Sequence, residues 1–159
     1  MTEPLPIILD VDTGVDDACA LLLAALHPDV DLRAVTCVGG NASVDNVVSN
    51  TLKVLDIAGR PDVQVARGAP RPLIEPARDA RHAHGYDGMA DLGWPWSDRH
   101  PDDRHPDDRH PDRQHAVELL RGLLSRAPNG EPAGRITLVP LAPLTNIALL
   151  LRTVNDGTG

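Results

Sequence analysis

The sequence predicts an α/β fold, an open and mainly parallel sheet with flanking helices. Three observations carry that expectation. Short apolar runs alternate with stretches of helical periodicity, the pattern of successive strand–helix units. The apolar runs close on turn residues, Thr13-Gly14 after the first and Gly39-Gly40-Asn41 after the second. The helical stretches begin and end on capping signals: His27-Pro28 stops the first helix, and Ser43 begins the second, which Gly59 and Pro61 end.

The elements follow in order. Pro6 to Asp12 (PIILDVD) reads as a buried strand. Val15 to Leu26 reads as a helix, with Asp16 and Asp17 in its first turn, where carboxylates suit the helix dipole. Leu32 to Val38 (LRAVTCV) is the second strand. Ser43 caps a helix whose apolar positions are Val44, Val47, Val48, Thr51, Val54, Leu55 and Ala58. Val63 to Ala66 is a short third strand, followed by a long Pro/Gly/His-rich loop. A helix near His115 to Arg126, a strand from Ile136 to Val139 and a helix near Leu144 to Arg152 complete the chain. Within the loop, residues 98–113 repeat the five-residue unit HPDDR. A proline in every unit prevents a helix, so the repeat is expected to be a solvated surface loop.

Composition narrows the function. The chain has 159 residues, 15 basic and 23 acidic, for a formal net charge of −8. Its aromatic side chains are Tyr86, Trp94 and Trp96, with no Phe. A platform that stacks bases needs aromatic faces and a basic groove, so nucleic acid is not the expected partner. An acidic surface also repels anionic lipid, and the longest apolar run, Ala18 to Leu26, is too short to span a bilayer. MTEPLP does not read as a signal peptide, and Cys19 and Cys37 lie in apolar surroundings. Two buried, reduced thiols in a cytoplasmic protein are therefore expected.

The feature that points to chemistry is Asp10, Asp12, Asp16 and Asp17 within eight residues. In a strand, Asp10 and Asp12 point to one side at the carboxyl end of the sheet. The Thr13-Gly14 turn then folds Asp16 and Asp17 back over that end. Carboxylates gathered in one crevice raise each other's pKa, and a divalent cation relieves the repulsion. Oxygen-only ligands favour Ca²⁺ or Mg²⁺. An EF-hand loop is excluded, because its sixth and twelfth positions would hold Val15 and Leu21. The DVDT start is similar to a haloacid-dehalogenase-type phosphatase, a Mg²⁺ enzyme in which Asp10 would be nucleophile and Asp12 acid/base. That family needs a downstream Lys, and Lys53 lies in the middle of a helix.

The longer string ILDVDTGVDDACALLLA resembles the inosine/uridine-preferring nucleoside hydrolase family, whose N-terminal signature is DxDxGxDD. VTCVGGN is similar to its second-strand motif, which ends in an asparagine, here Asn41. HAHGYDGMADLG resembles its HGxxGxG loop, DRQHAVELL the start of its next helix, and ITLVPLAPLTNIALLL its strand–loop–helix motif. The matches run in order along nearly all of the chain.

The resemblance implies a Ca²⁺-dependent hydrolase of the N-glycosidic bond of ribonucleosides, giving ribose and free base. It implies that Asp12 and Asp17 ligate Ca²⁺ together with the carbonyl of Leu141, and that Asp12 is also the base for the attacking water. It further implies that Asp16 binds the ribose hydroxyls, that Asn41 positions water or sugar, and that His84 borders the base-binding region. Asp10 would support the site from behind. His82 and His115 are expected to be ordinary surface histidines. The family's second half supplies a further Asp ligand, a His that protonates the leaving base, and groups gripping the ribose 5′ end. Residues 1–159 are accordingly expected to form the N-terminal part of such a domain, with impaired activity alone, or a non-catalytic Ca²⁺/ribose-binding remnant. Uncovered apolar faces such as Leu144 to Leu151 point to homo-oligomers or self-association.

Overall fold

A computed structural model of the chain describes residues 3–93, 114–125 and 135–155, so the repeat at 98–113 lies outside the described residues. Strands β1 (Leu5–Val11), β2 (Val30–Cys37), β3 (Gln64–Arg67) and β4 (Thr137–Pro140) form one sheet in the order β3-β2-β1-β4. Every pairing is parallel, as the alternation predicts. The helices are α1 (Val15–Leu26), α2 (Val44–Ile57), α3 (Arg81–His84), α4 (Ala116–Leu124) and α5 (Thr145–Asn155).

β1 lies between β2 and β4, with helices over both faces, which is why its sequence is apolar without alternation. Ile7, Leu9 and Val11 join a core with Leu21 of α1 and Val47, Leu52 and Leu55 of α2. Ile8 joins the opposite core with Ala34, Ala66, Leu120 of α4 and Leu150 of α5. A register shift between Ile7 and Ile8 sets Asp10 opposite Thr36 and Val11 opposite Cys37. The chain moves outward from β1 through β2 to β3, then returns to place β4 on the other side of β1. That reversal makes the carboxyl ends of β1 and β4 a topological switch point, where ligand crevices of open α/β sheets form.

Most expected elements are present with bounds shifted by one to three residues. One shift matters: β1 ends at Val11, so Asp12 lies beyond the ladder and does not continue the two-residue alternation from Asp10. α3 was not expected; it is a single turn inside the Pro/Gly/His-rich loop, with Arg81 5.2 Å from the centre of the Tyr86 ring. Cys19 corrects the expectation of two buried thiols. α1 is apolar almost all round, and it buries Ala18, Leu21, Ala24 and Ala25, which leaves Cys19 exposed on the far face with Leu23 and Leu26. Cys37 is buried, and burial pushes its thiol up to about 12. Among the described residues no helix is long and apolar enough to cross a membrane.

Candidate active site at the carboxyl ends of β1, β2 and β4

The site is built on the turn from β1 into α1. Gly14 is the N-cap of α1, and its N–H donates to Asp17 Oδ2 at 3.1 Å. The third helical residue thereby closes the helix end that glycine has no side chain to close. Thr13 anchors the turn from below, its hydroxyl 2.7 Å from that of Thr51 on α2. Asp12 is held from the loop after β2: its Oδ2 accepts from the Asn41 N–H at 2.8 Å. Gly40 must be glycine for the same reason, since a Cβ there would lie 2.1 Å from Asp12 Oδ2.

The expectation of four carboxylates in one crevice is refined into three situations. Asp12 and Asp17 form a pair of buried side chains linked by a hydrogen bond. Burial is the main cause that raises both carboxyls; the Asp16 charge adds to it at Asp12, and the Asp12 and Asp16 charges add to it at Asp17, which reaches about 7. Asp16 stands in water, with its side chain 80% exposed. Asp10 is 0% exposed and lies under the site, not in it. Its Oδ1 accepts from Thr36 Oγ1 at 2.6 Å and from Asn146 Nδ2 at 2.8 Å, while Oδ2 has no hydrogen-bond partner. A carboxylate sealed in this way is out of reach of a phosphate ester, which removes Asp10 as the nucleophile of a phosphatase.

Asn41 and His84 reach the same turn from distant parts of the chain. A Cβ on Gly14 would lie 2.6 Å from His84 Nδ1 and 2.9 Å from Asn41 Nδ2. His84 Nδ1 accepts from the Val15 N–H at 3.4 Å and lies 3.9 Å from Asp16 Oδ1. The loop carrying His84 is tied to α2: Asn50 Nδ2 donates to the carbonyls of Asp87 at 2.8 Å and Thr13 at 3.3 Å, and Asn46 Nδ2 donates to that of Tyr86 at 3.2 Å. Leu141 follows β4, and its N–H donates to the Asp10 carbonyl at 2.8 Å. The structure thus gathers Asp12, Asp17, Asn41 and His84 around Gly14, with Asp16 at the rim and Leu141 across the switch point. His82 is exposed, as expected. His115 is exposed but also caps α4, its Nδ1 accepting from the Val117 N–H at 3.2 Å.

Gly39 and Gly40 form one wall of a cavity of about 520 Å³, whose other walls include Arg67, Pro70 and the 75–79 loop. Its arginines are paired with acids, Arg67 with Asp45, Arg78 with Glu75 and Arg81 with Asp79. None of the four aspartates lines it.

A model of the inosine-uridine preferring nucleoside hydrolase family matches residues 7–157. The chain belongs to that family. A non-specific ribonucleoside hydrolase, RihC, of Salmonella agona is 42% identical over 151 residues, covering 95% of this chain and 44% of the relative. The Klebsiella pneumoniae protein of the same name is 42% identical over 147 residues, covering 92% and 43%. Among solved structures, a plant nucleoside hydrolase superposes with a TM-score of 0.77 at 33% identity, covering 94% of this chain and 43% of the other. An inosine-guanosine nucleoside hydrolase gives 0.75 at 36% identity, covering 95% and 43%. The chain spans less than half the length of the relatives it matches.

In this member of the family, the donor chemistry is of the kind a hard cation takes. Asp12 and Asp17 supply desolvated carboxyls, and the Leu141 N–H is held by the Asp10 carbonyl at the end of β4. Among the described residues no group of three or more His, Cys, Asp or Glu side chains is placed to hold a metal ion. The buried side-chain donors of the site are the two carboxyls of Asp12 and Asp17. Sequence reasoning gave no role to Thr36, Asn50 or Asn146. The available signal was Asn146 in the first turn of an apolar helix, where asparagine is a poor helix former.

Proposed function

We propose that this chain carries the cation- and ribose-binding part of a Ca²⁺-dependent nucleoside hydrolase, which cleaves the N-glycosidic bond of ribonucleosides to ribose and free base. The observation that carries the reading is the buried Asp12–Asp17 pair meeting Asn41 and His84 around Gly14 at the switch point. The names of the relatives, ribonucleoside hydrolases, supply the substrate class.

Asp12, Asp17 and the Leu141 carbonyl would hold Ca²⁺, which when bound lowers the pKa of a water and fixes the ribose diol. Asp12 takes the proton from the attacking water, since the Asn41 N–H fixes its carboxyl and burial raises its basicity. Attack falls on C1′ of an oxocarbenium-like sugar. Asp16, exposed at the rim, accepts hydrogen bonds from ribose hydroxyls, and Asn41 orients water or sugar through its amide. His84, with Nδ1 accepting from Val15, carries its proton on Nε2 at the edge of the site and borders the base. Asp10 supports the floor. Residues 1–159 act as the N-terminal part of the domain, the relatives' remaining length completing the site, and the setting is cytoplasmic.

Calorimetry with Ca²⁺ and with ribose, beside an assay of ribose release from inosine and uridine with Ca²⁺ or chelator, tests this. Saturable Ca²⁺ binding that is lost in Asp12→Asn, with slow release, is expected. No Ca²⁺ binding overturns the cation site, and full turnover overturns the claim that the site needs further residues.

A further inference from the structure

We infer that Asn146 is a positioning residue for this site, holding the β1 end through Asp10 so that Asp12 and Leu141 keep their places; the inference rests on the reading above. Asn146 is fully buried at the start of α5, just past β4. Its Nδ2 donates to Asp10 Oδ1 at 2.8 Å and to the Cys37 carbonyl at 3.1 Å, and its Oδ1 accepts from the Ala69 N–H at 3.0 Å. One amide thus joins β1, the last residue of β2 and the segment after β3, using both donors and its acceptor.

The surroundings are shaped to that amide. A Cβ on Gly68 would lie 2.3 Å from Asn146 Oδ1 and 2.4 Å from the Cys37 carbonyl, so only glycine leaves room. The link continues into the site by two routes. The Asp10 carbonyl accepts the Leu141 N–H, placing the residue after β4. Two residues beyond Asp10, Asp12 leaves the sheet toward Gly40 and Asn41. Among the described residues Asp10 Oδ1 has only Thr36 as another partner, so without Asn146 a fully buried carboxylate keeps one of these two hydrogen bonds. A side chain that only packed would not need three polar bonds to three strand ends.

Asn146→Asp tests the link isosterically: it keeps the acceptor for Ala69 but sets two carboxylates face to face. Ca²⁺ affinity by calorimetry is expected to fall at least tenfold in the folded variant. The reciprocal pair, Asp10→Asn with Asn146→Asp, restores a donor opposite an acceptor and is expected to recover most of that loss. A structural role alone would lower Tm in both variants without this rescue. Amide hydrogen exchange supplies a second readout that needs no metal: exchange at Leu141 is expected to speed at least tenfold in Asn146→Asp, with α2 amides unchanged. Wild-type affinity in folded Asn146→Asp, no recovery in the pair, or unchanged Leu141 exchange overturns the inference. If the wild-type chain takes no Ca²⁺, the cation reading falls and the Leu141 exchange decides this inference alone. If Asn146→Asp does not fold, Asp10→Ala removes the acceptor of the same link from the other side and is read by the same exchange measurement.

Discussion

Asp12 and Gly40 occupy space that only one side chain can fill, and that competition makes the site sensitive to a single methyl group. In Gly40→Ala the new Cβ would lie 2.1 Å from Asp12 Oδ2, so the carboxyl must move. Calorimetric titration is expected to show Ca²⁺ affinity reduced about tenfold or more, roughly 1.4 kcal/mol; unchanged affinity would show that Asp12 is not a ligand. The buried carboxyl pair sets a pH dependence. Asp17 titrates at about 7 in the folded protein against 3.8 for the free group, so between those values the native state holds a proton that the unfolded chain has released. Native stability in this group is therefore greatest at low pH and is lost as pH rises through about 7, and Asp12, also raised, acts with the same sign. With chelator present, Tm is expected to fall between about pH 4 and pH 7, and Asp17→Asn to flatten that fall. A third residue is strained: Ala90 has φ +59° where the HGxxGxG pattern places its last glycine. Ala90→Gly removes the left-handed penalty and is expected to add about 1 kcal/mol, read by urea denaturation.

At the level of elements, the His84 loop is held both by its own bonds, with Asp87 and Asp91 Oδ1 each accepting two loop N–H groups, and by α2. Asn46 and Asn50, one turn apart on α2, donate to the Tyr86 and Asp87 carbonyls, and Asn50 also reaches Thr13. Gly88, at φ +83°, passes close to Asn50, where a Cβ would lie 3.1 Å from Nδ2. Asn50→Ala is expected to cost about 1–2 kcal/mol through unsatisfied carbonyls. It is also expected to speed proteolysis between Tyr86 and Asp91, mapped by mass spectrometry; cleavage there at the wild-type rate would show that the loop holds itself. α1 shows how a uniformly apolar helix hides its orientation. Its buried stripe and its exposed Cys19 stripe are alike in sequence, and only packing against α2 and the sheet chose between them.

For the molecule as a whole, the two faces of the sheet are unequally covered. α1 and α2 enclose the larger core, though Leu23, Leu26 and Ile57 stay exposed on their outer faces; on the smaller α4–α5 side Leu144 is 59% and Leu151 58% exposed, with Leu141 half-exposed. β4 pairs with β1 on one side, and among the described residues no strand pairs with its other side. Apolar side chains beside an open strand edge favour association. Light scattering is expected to show self-association that rises with concentration and is reduced in Leu144→Lys with Leu151→Lys. A monomer at all concentrations would contradict this.

The sequence by itself determined the α/β class, the strand–turn–helix unit from β1 to α1, and the residues Asp12, Asp16 and Asp17 at its turn. All of these are local: strand, turn and helix are consecutive, so spacing alone sets the carboxylates together. Asn41 and His84 came through motif resemblance, because no local rule links them to Gly14. Only the tertiary structure decided which carboxylates are paired, which stands in water and which is sealed beneath. Burial and hydrogen bonding set those states, and their partners lie far along the chain, Thr36 on β2 and Asn146 on α5 for Asp10. The end of β1 at Val11 is of the same kind. Where the ladder stops depends on the neighbouring strands, and that stop frees Asp12 to turn toward Asn41.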